Sequence, residues 1–398
     1  MSTRMKSSVR ELAMAGGDPT FKEKLHVGRP NVGDRERLIA RINEMLDRRW
    51  FSNNGVFVQE FEARIASYLA VKHCVAMCNA TIALEITTRA LGLKGEVIVP
   101  SFTFIATAHA LQWQEITPVF CDIDPLTHIL DPNKVEDLIT PRTTGIVGVH
   151  IWGQGCDVDA LEEISRRHGL QLMFDAAHAF GCSHKGRLIG GFGRAEVFSF
   201  HATKFLNSFE GGAVVTNDDE LAKKIRLMKN FGFAGYDQVI YIGTNGKMNE
   251  ASAAMGLTSL ESIDDFVEIN KHNHGLYRKL LQDVPGIRTL SYNASEQNNY
   301  QYVVLEVDEE QAGLSRDLLV KVLWAENVMA RRYFYPGCHR MEPYRSYFPH
   351  AALLLPQTER VAQQSMILPN GTAIGETEVR GICEIIRLAV ADSATLNR

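Results

Sequence analysis

Apolar positions recur at helical spacing in the first part of the chain and then give way to short apolar runs. Leu38, Ile39, Ile42, Met45 and Leu46 fall three or four residues apart, which predicts a helix over 35–48. A turn at 51–55 leads to a second helix at 58–69. From Val75 to Thr216 the period changes. Apolar runs at 97–99, 118–120, 145–149, 170–174, 197–200 and 213–215 alternate with helical stretches at 106–113, 135–139 and 159–168. This alternation predicts an α/β fold with a mostly parallel sheet and helices on both faces. Ligands of such sheets bind beyond the carboxyl ends of the strands. Further on, the pattern predicts helices at 220–229 and 251–278 around a loop at 230–249 rich in Gly, Asn and Tyr. A strand at 302–307, a helix at 316–327 and a closing helix at 376–391 follow. The chain thus divides into an N-terminal arm (1–27), a large domain (28–262) and a smaller C-terminal α/β domain (263–398). The arm is expected on the surface or on a partner subunit.

Bulk composition narrows the function classes. A chain of 398 residues has room for two domains. Its net charge of -5 argues against nucleic acid as a partner. No apolar stretch is long enough to span a bilayer, and the polar N-terminus lacks an apolar signal core, so a cytoplasmic protein with no membrane partner is expected. The seven cysteines are scattered without a Cys-x-x-Cys, which reads as reduced thiols with no disulfide framework and no zinc site. No cluster has metal-ligand spacing, so no metal is expected. A Gly-x-Gly-x-x-Gly after a strand, a Walker A motif and a Gly-x-Ser-x-Gly elbow are all missing.

The chemistry concentrates around Lys204. It follows the apolar run Val197-Phe198-Ser199-Phe200 and precedes Glu210-Gly211-Gly212, so it sits just past a strand end where glycines allow close backbone approach. A lysine that can be desolvated there is a candidate Schiff-base nucleophile. Upstream, the strand 170–174 delivers Asp175, where a carboxylate would suit a pyridinium nitrogen. Together they suggest pyridoxal phosphate and an aminotransferase. Each residue also has a plainer reading: a surface lysine, and a carboxylate capping the helix after it. Cys78-Asn79-Ala80-Thr81 opens a helix, which is either an ordinary Asn79 cap or a phosphate site. Ser199 could add a hydroxyl to that phosphate, Phe104 could stack on a flat ring, and His178 could hold a ring substituent or be structural.

Taken in order, several segments resemble the DegT/DnrJ/EryC1/StrS sugar-nucleotide aminotransferases. They are Pro100-Ser101-Phe102-Thr103-Phe104-Ile105-Ala106-Thr107, Asp175-Ala176-Ala177-His178, Ser199-Phe200-His201-Ala202-Thr203-Lys204, Glu210-Gly211-Gly212 and Gly243-Thr244-Asn245-Gly246-Lys247-Met248. The resemblance runs from about Gly28 to Leu388. It implies the type I, aspartate aminotransferase-like fold, pyridoxal 5'-phosphate as cofactor and a homodimer with shared active sites. Residue by residue, it implies Lys204 as the Schiff-base lysine and Asp175 as partner of the ring nitrogen. Phe104 would stack on the ring, Ala80, Thr81 and Ser199 would hold the phosphate, and Asn245 would reach it across the subunit interface. Ala80 stands where the family usually has Gly, and His178 where it commonly has Gln, so imidazole would meet the ring hydroxyl. Retention of Lys204, where some members carry His and act as dehydratases, favours transamination.

Within the family, Asn230-Phe231-Gly232-Phe233, Tyr335-Pro336-Gly337-Cys338-His339 and Leu368-Pro369-Asn370-Gly371-Thr372 are similar to enzymes of 4-amino-4,6-dideoxyglucose formation. This implies ping-pong amino transfer from L-glutamate to C4 of a dTDP-4-keto-6-deoxy-D-glucose-type sugar nucleotide. Transfer to C3 of a 3-keto sugar, another reaction on the same fold, or a non-catalytic regulatory relative are the alternatives. Arg331, Arg332 and Lys247 are candidates for the diphosphate or the donor carboxylate, against the reading of solvated charges. Tyr333, Tyr335 and His339 are candidates to line the sugar pocket.

Overall fold

The computed structural model describes residues 6–396. A short strand β1 (Leu25–His26) precedes helices α1 (Arg35–Arg48) and α2 (Val56–Tyr68). The main sheet then takes β2 (His73–Met77), β3 (Glu96–Pro100), β4 (Thr117–Cys121), β5 (Thr143–Val149) and β6 (Gln171–Asp175). A small pair, β7 (Ser183–His184) and β8 (Arg187–Leu188), interrupts before β9 (Ala195–Ser199) and β10 (Gly212–Thr216) complete it. Strand order is β2-β10-β9-β6-β5-β3-β4. Helices α3 (Ala80–Ala90), α4 (Ile105–Gln112), α5 (Val158–His168) and α6 (Asp219–Met228) connect or flank these strands.

Successive strand residues point to opposite faces, and both faces of this sheet are buried. Leu172 and Phe174 of β6 enter one core with Phe61, Phe198 and Phe200. Met173 between them enters the other, with Val197, Val214 and Leu84. That is why these strands read as continuous apolar runs. Strands β9, β6, β5, β3 and β4 run parallel, whereas β10 is antiparallel to both β9 and β2. The chain therefore doubles back at the carboxyl end of β9 instead of crossing over. Segment 200–211, which carries Lys204, is that reversal. This is the type I aminotransferase arrangement.

Helices α7 (Glu250–Glu261) and α8 (Ile263–Leu281) follow a short exposed hairpin of β11 (Phe233–Gly235) and β12 (Gln238–Val239). The helix expected over 251–278 breaks at Ser262 (φ -110°, ψ 14°), which ends α7 and precedes α8. The helix expected at 135–139 is a pair of 3-10 turns, Pro132–Lys134 and Glu136–Leu138, too short for an α-helical ladder. A second sheet, β13 (Ile287–Thr289), β14 (Val303–Val307) and β16 (Ser365–Leu368), packs on α8 and the helix Glu376–Ala391. Between the two sheets lies a seam of Phe102, Trp152, Tyr302, Val304 and Phe334.

The N-terminal segment differs from the expected surface arm. Its first five residues lie outside the described residues. The rest is part of the second core: Val9, Leu12, Phe21 and Leu25 are buried with Leu319, Val322 and Ile382. β1 pairs in parallel with β15 (Val328–Met329). The carboxylate of Glu326, fully buried, accepts from Lys6 Nζ, the backbone N–H groups of Ala13 and Thr20, and Thr20 Oγ1 at 2.6–2.8 Å. The segment winds through 3-10 turns, so its apolar residues have no period to detect. Among the described residues, no helix is long and apolar enough to cross a membrane, and no His/Cys/Asp/Glu group is arranged to hold a metal.

Candidate active site

A cavity of about 650 Å³ opens at the carboxyl ends of β3, β5, β6 and β9. It gathers Asn79, Ala80, Thr81, Phe104, Asp175, His178, Ser199, Lys204, Arg331 and Tyr333. Lys204 is half-buried. Its backbone N–H closes a turn on His201 O (2.8 Å). On either side, Gln301 clamps the chain: its amide donates to Thr203 O (2.6 Å) and accepts from Phe205 N–H (2.9 Å). Desolvation lowers the Lys204 amine to about 8, opposed by the attraction of Asp175.

Asp175 is buried at the end of β6. Burial raises its pKa, opposed by its hydrogen bonds and by Lys204. One oxygen accepts from Thr107 Oγ1 (2.8 Å), the other from Ala177 N–H (3.0 Å). The carboxylate, which lines the cavity, is thus held in place by a donor on each oxygen. Buried His178, three residues on in the turn after β6, has a pKa well below the ordinary histidine value, through burial and then Lys204.

Asn79 caps α3 through Ile82 N–H (2.9 Å), leaving the first-turn N–H groups of Ala80 and Thr81 beside the cavity. A Cβ on Gly212 would stand 2.6 Å from Ala80 N, so only glycine lets β10 pass under this helix end. Phe104 exposes 58% of its surface, an unusual state for a phenylalanine at a cavity wall, and its ring face is free to stack. An amine beside a carboxylate, an aromatic face, an imidazole and an anion-binding helix end meet the requirements of pyridoxal phosphate, so the residues present fit that group.

Other candidates lie elsewhere. His339 is buried between Ser101 Oγ (2.7 Å) and Glu359 Oε1 (2.5 Å), away from the cavity lining. Arg332 pairs with Asp317 (3.1 Å) and covers the Tyr335 ring, and neither lines the cavity. Arg331 does line it, over the Tyr333 ring, with no ion pair among the described residues. Asn245 is exposed outside the cavity of its own chain, and Lys247 donates to Asn230 Oδ1 (2.9 Å). Thr107, Trp152 and Phe334 were not singled out from sequence. Thr107 sits one helical turn from Thr103, a spacing that carries no signal without knowledge that α4 faces Asp175.

Comparison with known proteins identifies the family. The chain is 39% identical over 316 residues to the dTDP-4-amino-4,6-dideoxy-D-glucose transaminase of Shigella dysenteriae, covering 79% of this chain and 86% of that one. It is 34% identical over 363 residues to the Escherichia coli protein of the same name, covering 90% and 97%. Among solved structures it is similar to DesI, crystallised in the presence of its TDP-sugar product, with a TM-score of 0.94, 50% identity and coverage of 98% and 99%. Residues 33–387 match the DegT/DnrJ/EryC1/StrS aminotransferase family, and the chain belongs to that family of pyridoxal phosphate-dependent sugar aminotransferases.

Proposed function

We propose that this enzyme moves the amino group of L-glutamate to C4 of a dTDP-linked 4-keto-6-deoxy-D-glucose by a ping-pong cycle, as a homodimer with shared active sites. The observation that carries the reading is Lys204, half-buried against the Asp175 carboxylate with its amine lowered to about 8. The names of its relatives support the C4 and dTDP assignments.

Pyridoxal phosphate, when bound, supplies the electron sink that lets the donor's Cα proton leave. The chain's residues do the rest. Lys204 Nζ, neutral for part of the cycle, takes the Cα proton of the donor in one half-reaction and delivers a proton to the hexose carbon in the other. Asp175 would hold the ring nitrogen in its protonated form. Thr107 and Ala177 N–H hold that carboxylate in place. Ala80, Thr81 and Ser199 would hold the phosphate in their own chain, with Asn245 of a second copy reaching the same group. Phe104 would stack on the ring. Arg331, the cavity guanidinium without a carboxylate partner among the described residues, receives the donor carboxylate or the diphosphate.

Product analysis tests the assignment. With dTDP-4-keto-6-deoxy-D-glucose and L-glutamate, proton NMR of the purified product should place the amine on C4, with one 2-oxoglutarate formed per amino sugar. Amination only of a 3-keto isomer would move the reading to the C3 reaction.

A further inference from the structure

His178 is enclosed by rings: Trp152 (centroids 5.7 Å apart, 26° between planes), Phe334 (5.9 Å, 19°) and Tyr302 (4.3 Å, 35°). Its Nδ1 accepts the backbone N–H of Trp152 at 3.3 Å. A nitrogen that accepts carries no proton, so the proton of the neutral ring sits on Nε2. Nε2 has no partner among the described residues, and His178 lines the cavity. An imidazolium is disfavoured there by burial and by Lys204.

The backbone that donates is itself unusual. Trp152 adopts φ 60° and ψ 8°, a left-handed conformation that a bulky residue reaches only when its surroundings hold it. The indole supplies the anchor. Its Nε1–H donates to Nδ1 of His128 (3.1 Å), which leaves the His128 proton on Nε2 facing Glu306 Oε1 (2.5 Å). Glu306 lies on β14 and is fixed by Arg288 Nε (2.9 Å) from β13. One polar chain therefore runs from the second sheet, through the seam, to the cavity.

We infer that the chain Glu306–His128–Trp152 is a positioning device that fixes His178 in one neutral tautomer, so that its ring presents an N–H donor to the cavity. The chemistry needs such a device because a ring nitrogen of neutral histidine is a donor in one tautomer and an acceptor in the other. What that donor meets, an oxygen on the cofactor ring, rests on the reading proposed above. The tautomer does not rest on it.

The test uses cofactor-free, full-length protein labelled with 15N in its histidine rings. Long-range 1H–15N correlation spectra report which ring nitrogen is protonated, and loss of one set of signals in His178→Gln assigns them. His178 is expected as a single Nε2–H tautomer. The Nδ1–H form, an imidazolium, or an averaged mixture in the wild type would overturn the inference. His128→Phe removes the acceptor for the indole, and Trp152→Phe removes the indole N–H while keeping a ring. In either variant, if circular dichroism shows it folded, the His178 signals should move to values averaged between tautomers. Unchanged signals in both would overturn the role of Glu306 and His128. Failure of amino transfer would leave these spectra as they are, so the two readings fail separately.

Discussion

The cavity floor and the hairpin between α6 and α7 stand in opposite relations to their surroundings. In the floor, the key side chains and the backbone that carries them are held from within the chain. Asp175 is held by Thr107 and Ala177, His178 by Trp152, and the Lys204 turn by Gln301. In the hairpin, Phe231, Phe233, Tyr236, Val239, Ile240 and Ile242 are exposed, Tyr236 completely. Apolar side chains in that density on one projecting element call for cover by another surface. Asn245 and Lys247 adjoin it, outside the cavity of their own chain. The floor thus carries the chemistry of one chain, and the hairpin is the part whose role depends on the proposed second copy.

The largest expected effect tests the floor. Lys204→Ala should lower amino transfer by at least about 10⁴-fold while leaving the fold intact, measured by single-turnover kinetics. Asp175→Asn should cost on the order of 10²–10³-fold in kcat, because the ring nitrogen loses its charged partner. Next comes the hairpin. Ile242→Asp should weaken the proposed dimer by roughly 30-fold or more, read by sedimentation, with activity falling in step with dissociation. Mixing inactive Lys204→Ala and Asn245→Asp proteins should restore part of the activity if sites are shared. Loss of the dimer without loss of activity would erase the contrast drawn above.

A smaller change comes from the cavity rim. Arg331→Ala should raise KM for glutamate or the sugar nucleotide by about 10-fold or more, as removal of a charge-assisted hydrogen bond does. Arg332→Ala, whose side chain serves Asp317, should leave both constants nearly unchanged. The smallest effect is on pH. Capture of pyridoxal phosphate by the cofactor-free enzyme should quicken as pH rises through about 8 and then level off, since only the neutral amine reacts. An ordinary lysine would keep quickening towards 10.5. The same shift means that the folded state binds fewer protons than the unfolded between pH 8 and 10.5. Lys204 therefore makes stability rise with pH across that window.

Much of the floor was legible in the sequence because its signals are local. The apolar run of β9 ends where its charged successor begins, and β6 places Asp175 by the same rule. The main sheet followed from its runs for the same reason. Arg331 and Arg332 show the limit. They are adjacent and chemically identical, and only the fold decides that one faces the cavity while the other meets Asp317 from the helix Arg316–Ala325. His339 looked equally available and is held by Glu359, 20 residues downstream. The N-terminal segment was misread because irregular turns hide four core residues. Trp152 could not be read at all, since its role rests on a backbone angle and on His128 and Glu306 from distant elements.

The most direct test of the central claim is to load the protein with pyridoxal phosphate, reduce it with borohydride and map the peptides by mass spectrometry. A phosphopyridoxyl group on Lys204 alone is the predicted result. Labelling at another lysine with Lys204 unmodified would contradict the account of the cavity.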